Sequence, residues 1–318
     1  MKGGFMKQTG GRTDLAVELR EDFSEDDERI KGVTIKETCY KQKKVRVSTV
    51  CITDASGAEA MGRPIGTYIT VEAKGLAEGE EKLRRFVAET LAEQLLQLLE
   101  KLEKQTGKPD RKKEILVVGL GNREATPDAL GPIAVDELVV TRHLILQLGE
   151  GFREKYHLTS FCAMAAGVLA QTGLESGEVI KSVVKEIKPD AVIAIDALAA
   201  RSTERLGTTV QLTDTGIFPG AGIGNNRQAL NKETLGIPVI AIGVPTVVDA
   251  ATIVKERMER YSEKAGLSVT EREKLYREAE EENGQVFFVT PKGIDELVHR
   301  AGETVAEAVN LCFCKEII

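Results

Sequence analysis

The sequence contains no Trp, and aromatic residues fill only 4% of its 318 positions, which disfavours the stacking platforms that grip single-stranded nucleic acid. Basic residues are outnumbered, 43 Lys and Arg against 50 Asp and Glu. The net charge of -7 argues against a chain built to coat DNA or RNA, where phosphate binding rests on a surplus of cations. Histidine is scarce: His143, His157 and His299 leave little material for a Ser/His/Asp triad or a zinc-protease helix, and neither H-E-x-x-H nor G-x-S-x-G occurs. The cysteines, Cys39, Cys51, Cys162, Cys312 and Cys314, are too few and too scattered for a disulfide framework. No run of about 18 apolar residues is present to span a bilayer. Met1 to Asp14 lacks the continuous apolar stretch of a secretory signal, so the expectation is a cytoplasmic protein without a membrane partner.

What is present is ordinary globular material, 42% hydrophobic and 29% charged, enough to bury a sizeable core. Residues 1–30, rich in Gly, Lys, Glu and Asp with an acidic cluster from Glu21 to Glu28, read as a loosely structured arm. Lys44 to Ile52 and Gly66 to Ala73 alternate as strands do, and Leu83 to Leu102 carries apolar residues at helical spacing up to the stop signal Gly107-Lys108-Pro109. Beyond it, short β-branched runs at Ile115 to Val118, Ala191 to Ile195, Val239 to Ile242 and Val286 to Thr290 predict buried strands. Thr208 to Leu212 reads as a more exposed or antiparallel addition. With a crossover helix at Glu175 to Ile187, a charged helical insertion at Ile253 to Asn283 and a closing helix at Ile294 to Leu311, the pattern is α/β. It predicts a doubly wound, mostly parallel sheet flanked by helices, with added N-terminal strands.

The glycine clusters do not make nucleotide sites. Gly119-Leu120-Gly121-Asn122 has Glu124 where a dinucleotide fingerprint needs its third glycine, and Pro219 to Asn225 lacks the Lys-Ser/Thr of a phosphate loop. Both are read as sharp turns that glycine permits. Cys162 has no evident base beside it, and Cys312 and Cys314 point to different faces of the closing helix, so the thiols read as structural. No cofactor or metal is called for. Carboxylates remain. Asp128 follows the strand Ile115 to Val118, Asp196 follows Ala191 to Ile195, and residues just beyond strand ends line the crevice of a doubly wound sheet. A close pair of aspartates shares one proton, so it can activate a water and protonate a leaving group; the competing reading is that each Asp caps a helix.

Four strings carry a more specific signal: Arg12 to Glu18 (RTDLAVE), Gly119 to Pro132, Ala194 to Ser202 (AIDALAARS) and Ile240 to Asp249 (IAIGVPTVVD). Together they resemble the germination proteases of spore-forming bacteria, from about Arg12 to the C-terminal helix. The resemblance implies an atypical aspartic endopeptidase with a fold similar to hydrogenase-maturation endopeptidases. It also implies a homotetramer of the spore core that hydrolyses small acid-soluble spore proteins during germination. The family's two implicated aspartates match Asp128 and Asp196. The family is made as a zymogen and cuts after an acidic residue that precedes a large apolar residue and Ala. Thr13-Asp14-Leu15-Ala16 has that form, which predicts a propeptide of residues 1–14, self-processing between Asp14 and Leu15, and a single peptidase domain over 15–318. Arg201 and Arg123, the arginines nearest the two aspartates in sequence, are candidates to hold the substrate carboxylate.

The sequence departs from the family pattern at Met164-Ala165-Ala166-Gly167 and at Phe218, neither of which touches the aspartates; Asp214 and Asn225 are candidate supporting residues or plain turn residues. Lys2, Lys7 and Arg12 could neutralise carboxylates if the arm covers the crevice. Two alternatives stand beside the protease reading: a metal-dependent endopeptidase of the maturation type and an inactive protein that binds the same substrates. A nucleoside hydrolase or phosphorylase, resting on the glycine turns alone, ranks last.

Overall fold

The computed structural model describes residues 13–23, 30–106, 113–218, 228–266, 268, 271, 287–314 and 316. Nine strands form one sheet: β1 (Val33–Tyr40), β2 (Val45–Ile52), β3 (Gly66–Ala73), β4 (Glu114–Gly119), β5 (Ser160–Ala165), β6 (Ala191–Ala200), β7 (Thr209–Thr213), β8 (Val239–Asp249) and β9 (Phe288–Val289). The order across it is β1-β2-β3-β7-β8-β6-β4-β5, with β9 pairing to β8. The sheet is mixed. β5, β4, β6 and β8 run parallel to one another, whereas β1, β2, β3 and β7 form an antiparallel wing joined to β8.

The inner parallel strands β4, β6 and β8 are buried on both faces, which is why they read as apolar runs rich in β-branched residues such as Ile115-Leu116-Val117-Val118. On one face lie the long helix Glu81–Thr106 and the closing helix Ile294–Phe313; Leu91, Leu95, Leu98, Leu99 and Leu102 all point into that core. Each fully buried Leu contributes roughly 2 kcal/mol of transfer free energy. On the other face the helix Ser176–Ile187 buries Ile180 and Val184 against β4, β6 and β8.

Several expectations change. Residues 13–23 are not a loose arm: Ala16–Arg20 is a helix whose five residues are all buried. Glu18 makes this possible, because a carboxylate only 1% exposed needs charged partners, and Arg205 Nε supplies one at 3.3 Å. Strand β6 continues past Ile195 to Ala200, and β8 past Ile242 to Asp249, since each supplies the other with a partner along that length. The final predicted strand, Val286 to Thr290, is a two-residue antiparallel edge rather than a parallel member, and Val286 lies outside the described residues. Within the charged insertion Ala250–Lys264 is helical, while 267, 269, 270 and 272–286 lie outside the described residues, as do Pro219 to Asn225 and Lys2, Lys7 and Arg12.

Candidate active site

The chain leaves β4 toward β5 on one side and returns to β6 on the other, so the loops after β4 and β6 diverge and leave a crevice at this switch point. Pairing of β4 with β6 ends at Gly119 opposite Ile195, and Leu120 N–H donates to the Ile195 carbonyl at 2.8 Å. Asp196 is therefore the first residue of β6 beyond its β4 neighbour. It sits inside a strand, not after one, and is 5% exposed.

Asp128 reaches the same place by a different route. Residues 121–132 fold back against the end of β4, and glycines permit the approach: a Cβ on Gly119 would lie 2.3 Å from the Gly131 carbonyl oxygen. Gly121, at φ +107°, would bring a Cβ within 1.9 Å of the Asp128 carbonyl oxygen. The Gly-x-Gly pair is thus a packing device. Asp128 ends the single turn Thr126–Asp128, and its Oδ2 accepts from Asn122 N–H at 2.7 Å. The turn is tied down by Thr246 Oγ1 donating to the Pro127 carbonyl at 2.7 Å and Thr126 Oγ1 donating to Asp295 at 3.0 Å.

Asp128 and Asp196 line one cavity of about 260 Å³, and Asp14 lines it with them. Glu175, Ser176, Phe218, Leu230 and Phe288 complete much of its wall. Past the end of β4, the edge of β6 is taken by carboxylates and by the arm. Ala197 N–H donates to Asp196 Oδ1 at 2.9 Å, Ala199 N–H to Asp14 Oδ2 at 2.9 Å and Arg201 N–H to Glu18 Oε2 at 2.8 Å. Asp14 N–H in turn donates to the Ala199 carbonyl at 2.9 Å. Gln211 of β7 brackets the next residues: its Nε2 donates to the Asp14 carbonyl at 3.1 Å and its Oε1 accepts from Ala16 N–H at 2.8 Å. Leu15 between them is fully buried.

The two arginines singled out in the sequence lie elsewhere. Arg201 Nη1 pairs with Asp22 at 2.7 Å and its Nη2 donates to the Glu18 carbonyl, so the side chain fastens the helix Ala16–Arg20. Arg123 forms a two-point pair with Asp136, and that pairing raises the guanidinium pKa and lowers that of the carboxyl. Neither lines the cavity. Arg63 is the arginine that sequence reading passed over: its Nη2 donates to the Thr13 carbonyl at 2.7 Å and stands 3.8 Å from Asp14 Oδ1. Asp214 accepts from Thr67 N–H at 2.7 Å and pairs with Lys101 at 2.5 Å. Burial pushes the Cys162 thiol up, away from a thiolate nucleophile. Among the described residues no group of three or more His, Cys, Asp and Glu is arranged to hold a metal ion, and no helix is long and apolar enough to cross a membrane.

A family model described as germination protease matches residues 11–278. The chain belongs to the germination protease family. The germination protease of Caldanaerobacter subterraneus is 43% identical over 95% of this chain and 94% of its own length. That of Clostridium tetani is 38% identical over 94% of both, and that of Bacillus subtilis 47% identical over 78% of this chain and 66% of its own. Among solved structures, a NiFe hydrogenase maturation protease from Thermococcus kodakarensis aligns with a TM-score of 0.32 at 17% identity, covering 63% of this chain and 94% of that one. Family membership makes the protein a protease of spore germination, with proteins as its substrates.

Proposed function

We propose that this germination protease is an endopeptidase that begins the breakdown of small acid-soluble spore proteins in the spore core. On this reading it is made as a zymogen that cuts itself between Asp14 and Leu15, and it works as a homotetramer. Asp128 and Asp196 form its acid and base. One observation carries the reading: Asp14, at the predicted cut, lines the same cavity as Asp128 and Asp196.

The chemistry follows from the residues present. One aspartate, ionised, takes a proton from water, whose oxygen bonds to the Asp14 carbonyl carbon; the other, protonated, gives its proton to the Leu15 nitrogen as the C–N bond breaks. Gln211, already donating to the Asp14 carbonyl oxygen, supports the negative charge that develops there. The products are a carboxyl at Asp14 and an amine at Leu15, with one water consumed.

The test is the mass of the purified full chain followed over time as pH is lowered, beside Asp128→Asn and Asp196→Asn. Loss of residues 1–14 by the parent, with each folded variant slowed at least about 100-fold, is the expected result. A variant that cuts at the parental rate removes that aspartate from the mechanism, and a cut at another bond removes the processing site. Cleavage abolished by a chelator would instead favour the metal-dependent alternative.

A further inference from the structure

Asp14 stands at a wall shared by two cavities. On one side is the acidic chamber of Asp128 and Asp196; on the other is a smaller one, about 40 Å³, lined by Asp14, Arg63, Tyr68, Gln211 and Thr213. An acidic side chain facing the first chamber is repelled by its carboxylates, so an acidic residue settles here only if something on the other side outweighs that cost. Two groups do so. Ala199 N–H donates to Asp14 Oδ2 at 2.9 Å, and Arg63 Nη2 lies 3.8 Å from Asp14 Oδ1 with both side chains largely buried.

Arg63 is built to stay there. It follows the helix Ala55–Met61, which Asp54 caps by accepting from Gly57 N–H at 2.9 Å and which ends at Gly62 in the left-handed region, φ +59°. Arg63 N–H closes the helix end on the Ala58 carbonyl at 3.2 Å, Pro64 fixes the following φ, and Tyr68 Oη donates to the Pro64 carbonyl at 2.8 Å. The guanidinium is also registered on the chain it faces, because it donates to the Thr13 carbonyl. Other arginines near this arm are engaged by other carboxylates, Arg201 by Asp22 and Arg205 by Glu18, Glu21 and Glu72.

We infer that Arg63, together with the Ala199 amide, forms the subsite that selects an acidic residue on the N-terminal side of the cleaved bond, in self-processing and in protein substrates alike. Arg63 is a specificity-determining residue: it reads the side chain beside the bond. The assignment rests on the proposed cut between Asp14 and Leu15. One consequence is that, while Asp14 occupies this subsite, no other acidic residue can.

A double-mutant cycle on the full chain tests it, with Asp14→Asn, Arg63→Gln and both together, the rate of loss of residues 1–14 read by mass and the fold of each form checked by circular dichroism. With Arg63 present, Asp14→Asn slows processing by about ten-fold or more, the scale of a charge-assisted contact. In the Arg63→Gln background the same change costs less than about two-fold. Arg63→Lys, which keeps the charge and loses the planar fork, restores part of the preference for Asp; it also carries the cycle if Arg63→Gln does not fold. An unchanged Asn penalty in the absence of Arg63 overturns the assignment while leaving the protease reading intact. A parent chain that never cuts at this bond overturns the reading beneath it, and the assignment with it.

Discussion

The two sides of the Asp14–Leu15 bond are held by different physics. On the N-terminal side the contacts seen among the described residues are polar: Arg63 to the Thr13 carbonyl and Asp14, the Ala199 amide to the Asp14 carboxylate, the Asp14 amide to the Ala199 carbonyl, and Gln211 to the Asp14 carbonyl. On the C-terminal side Leu15, Ala16 and Val17 are sealed at 0 to 1% exposure, and Glu18 is tied to Arg205 and to the amides of Arg201 and Ser202. Hydrogen bonds to exchangeable groups let a segment leave once its covalent link is cut. Apolar burial with a satisfied interior charge does not. If the proposed cut is made, this difference is what would let residues before it leave while those after it stay.

Substitutions can break that contrast. Glu18→Gln should be the most damaging to stability, about 3 kcal/mol, because Arg205 loses a buried partner that Glu21 and Glu72 replace only in part; denaturant titration measures it. Gly121→Ala comes next at about 2 kcal/mol, since a side chain at φ +107° meets the Asp128 carbonyl oxygen. It should lower proteolysis beyond its effect on stability, as Asp128 is displaced. Arg201→Ala should cost only about 1 kcal/mol, by loosening the helix Ala16–Arg20 from Asp22 and the Glu18 carbonyl. It should leave the preference for an acidic residue at the cut unchanged; loss of that preference would return Arg201 to the site.

The smallest effect is a matter of pH. Arg123 holds the Asp136 carboxyl below its ordinary range, so the folded state favours the ionised form. That contribution is present above the unfolded carboxyl pKa and is lost as pH falls through the lower, folded value. Both side chains are about half exposed, which limits it to at most about 0.5 kcal/mol. Comparing acid unfolding of the parent with Asp136→Asn checks it: the variant should lose that part of the slope.

How much of this was legible in the sequence depended on whether the deciding contact was local. Ile115 to Val118 and Gly66 to Ala73 announced themselves through β-branched side chains packed on a pleated surface. β5 did not, because Ser-Phe-Cys-Ala-Met-Ala has no β-branched residue and becomes a strand by pairing with β4. β1, Val-Thr-Ile-Lys-Glu-Thr-Cys-Tyr, was missed for a related reason: it is largely exposed and is held by its ladder to β2. Asp128 and Asp196 could be picked out because strand-end position is readable from pattern, although Asp196 lies at the end of its neighbour β4 and not of its own strand. Arg63 sits in a Gly-Arg-Pro turn far from either aspartate in the chain, and nothing local in it points toward a cavity.

The burial of Leu15 beside a chamber lined with carboxylates also bears on which way the reaction runs. A cut between Asp14 and Leu15 replaces a neutral amide with an anion and a cation. The new carboxylate at Asp14 forms in a chamber that also holds the ionised member of the Asp128–Asp196 pair, whereas Thr13, whose hydroxyl bridges the Leu15 N–H and Glu18, departs with residues 1–14 and leaves the Glu18 carboxylate on the same segment as the new ammonium. Like charge drives one end out and opposite charge retains the other. If the proposed cut takes place, the step would thus be a ratchet: religation would require the departed anion to climb back against the field its own release relieved.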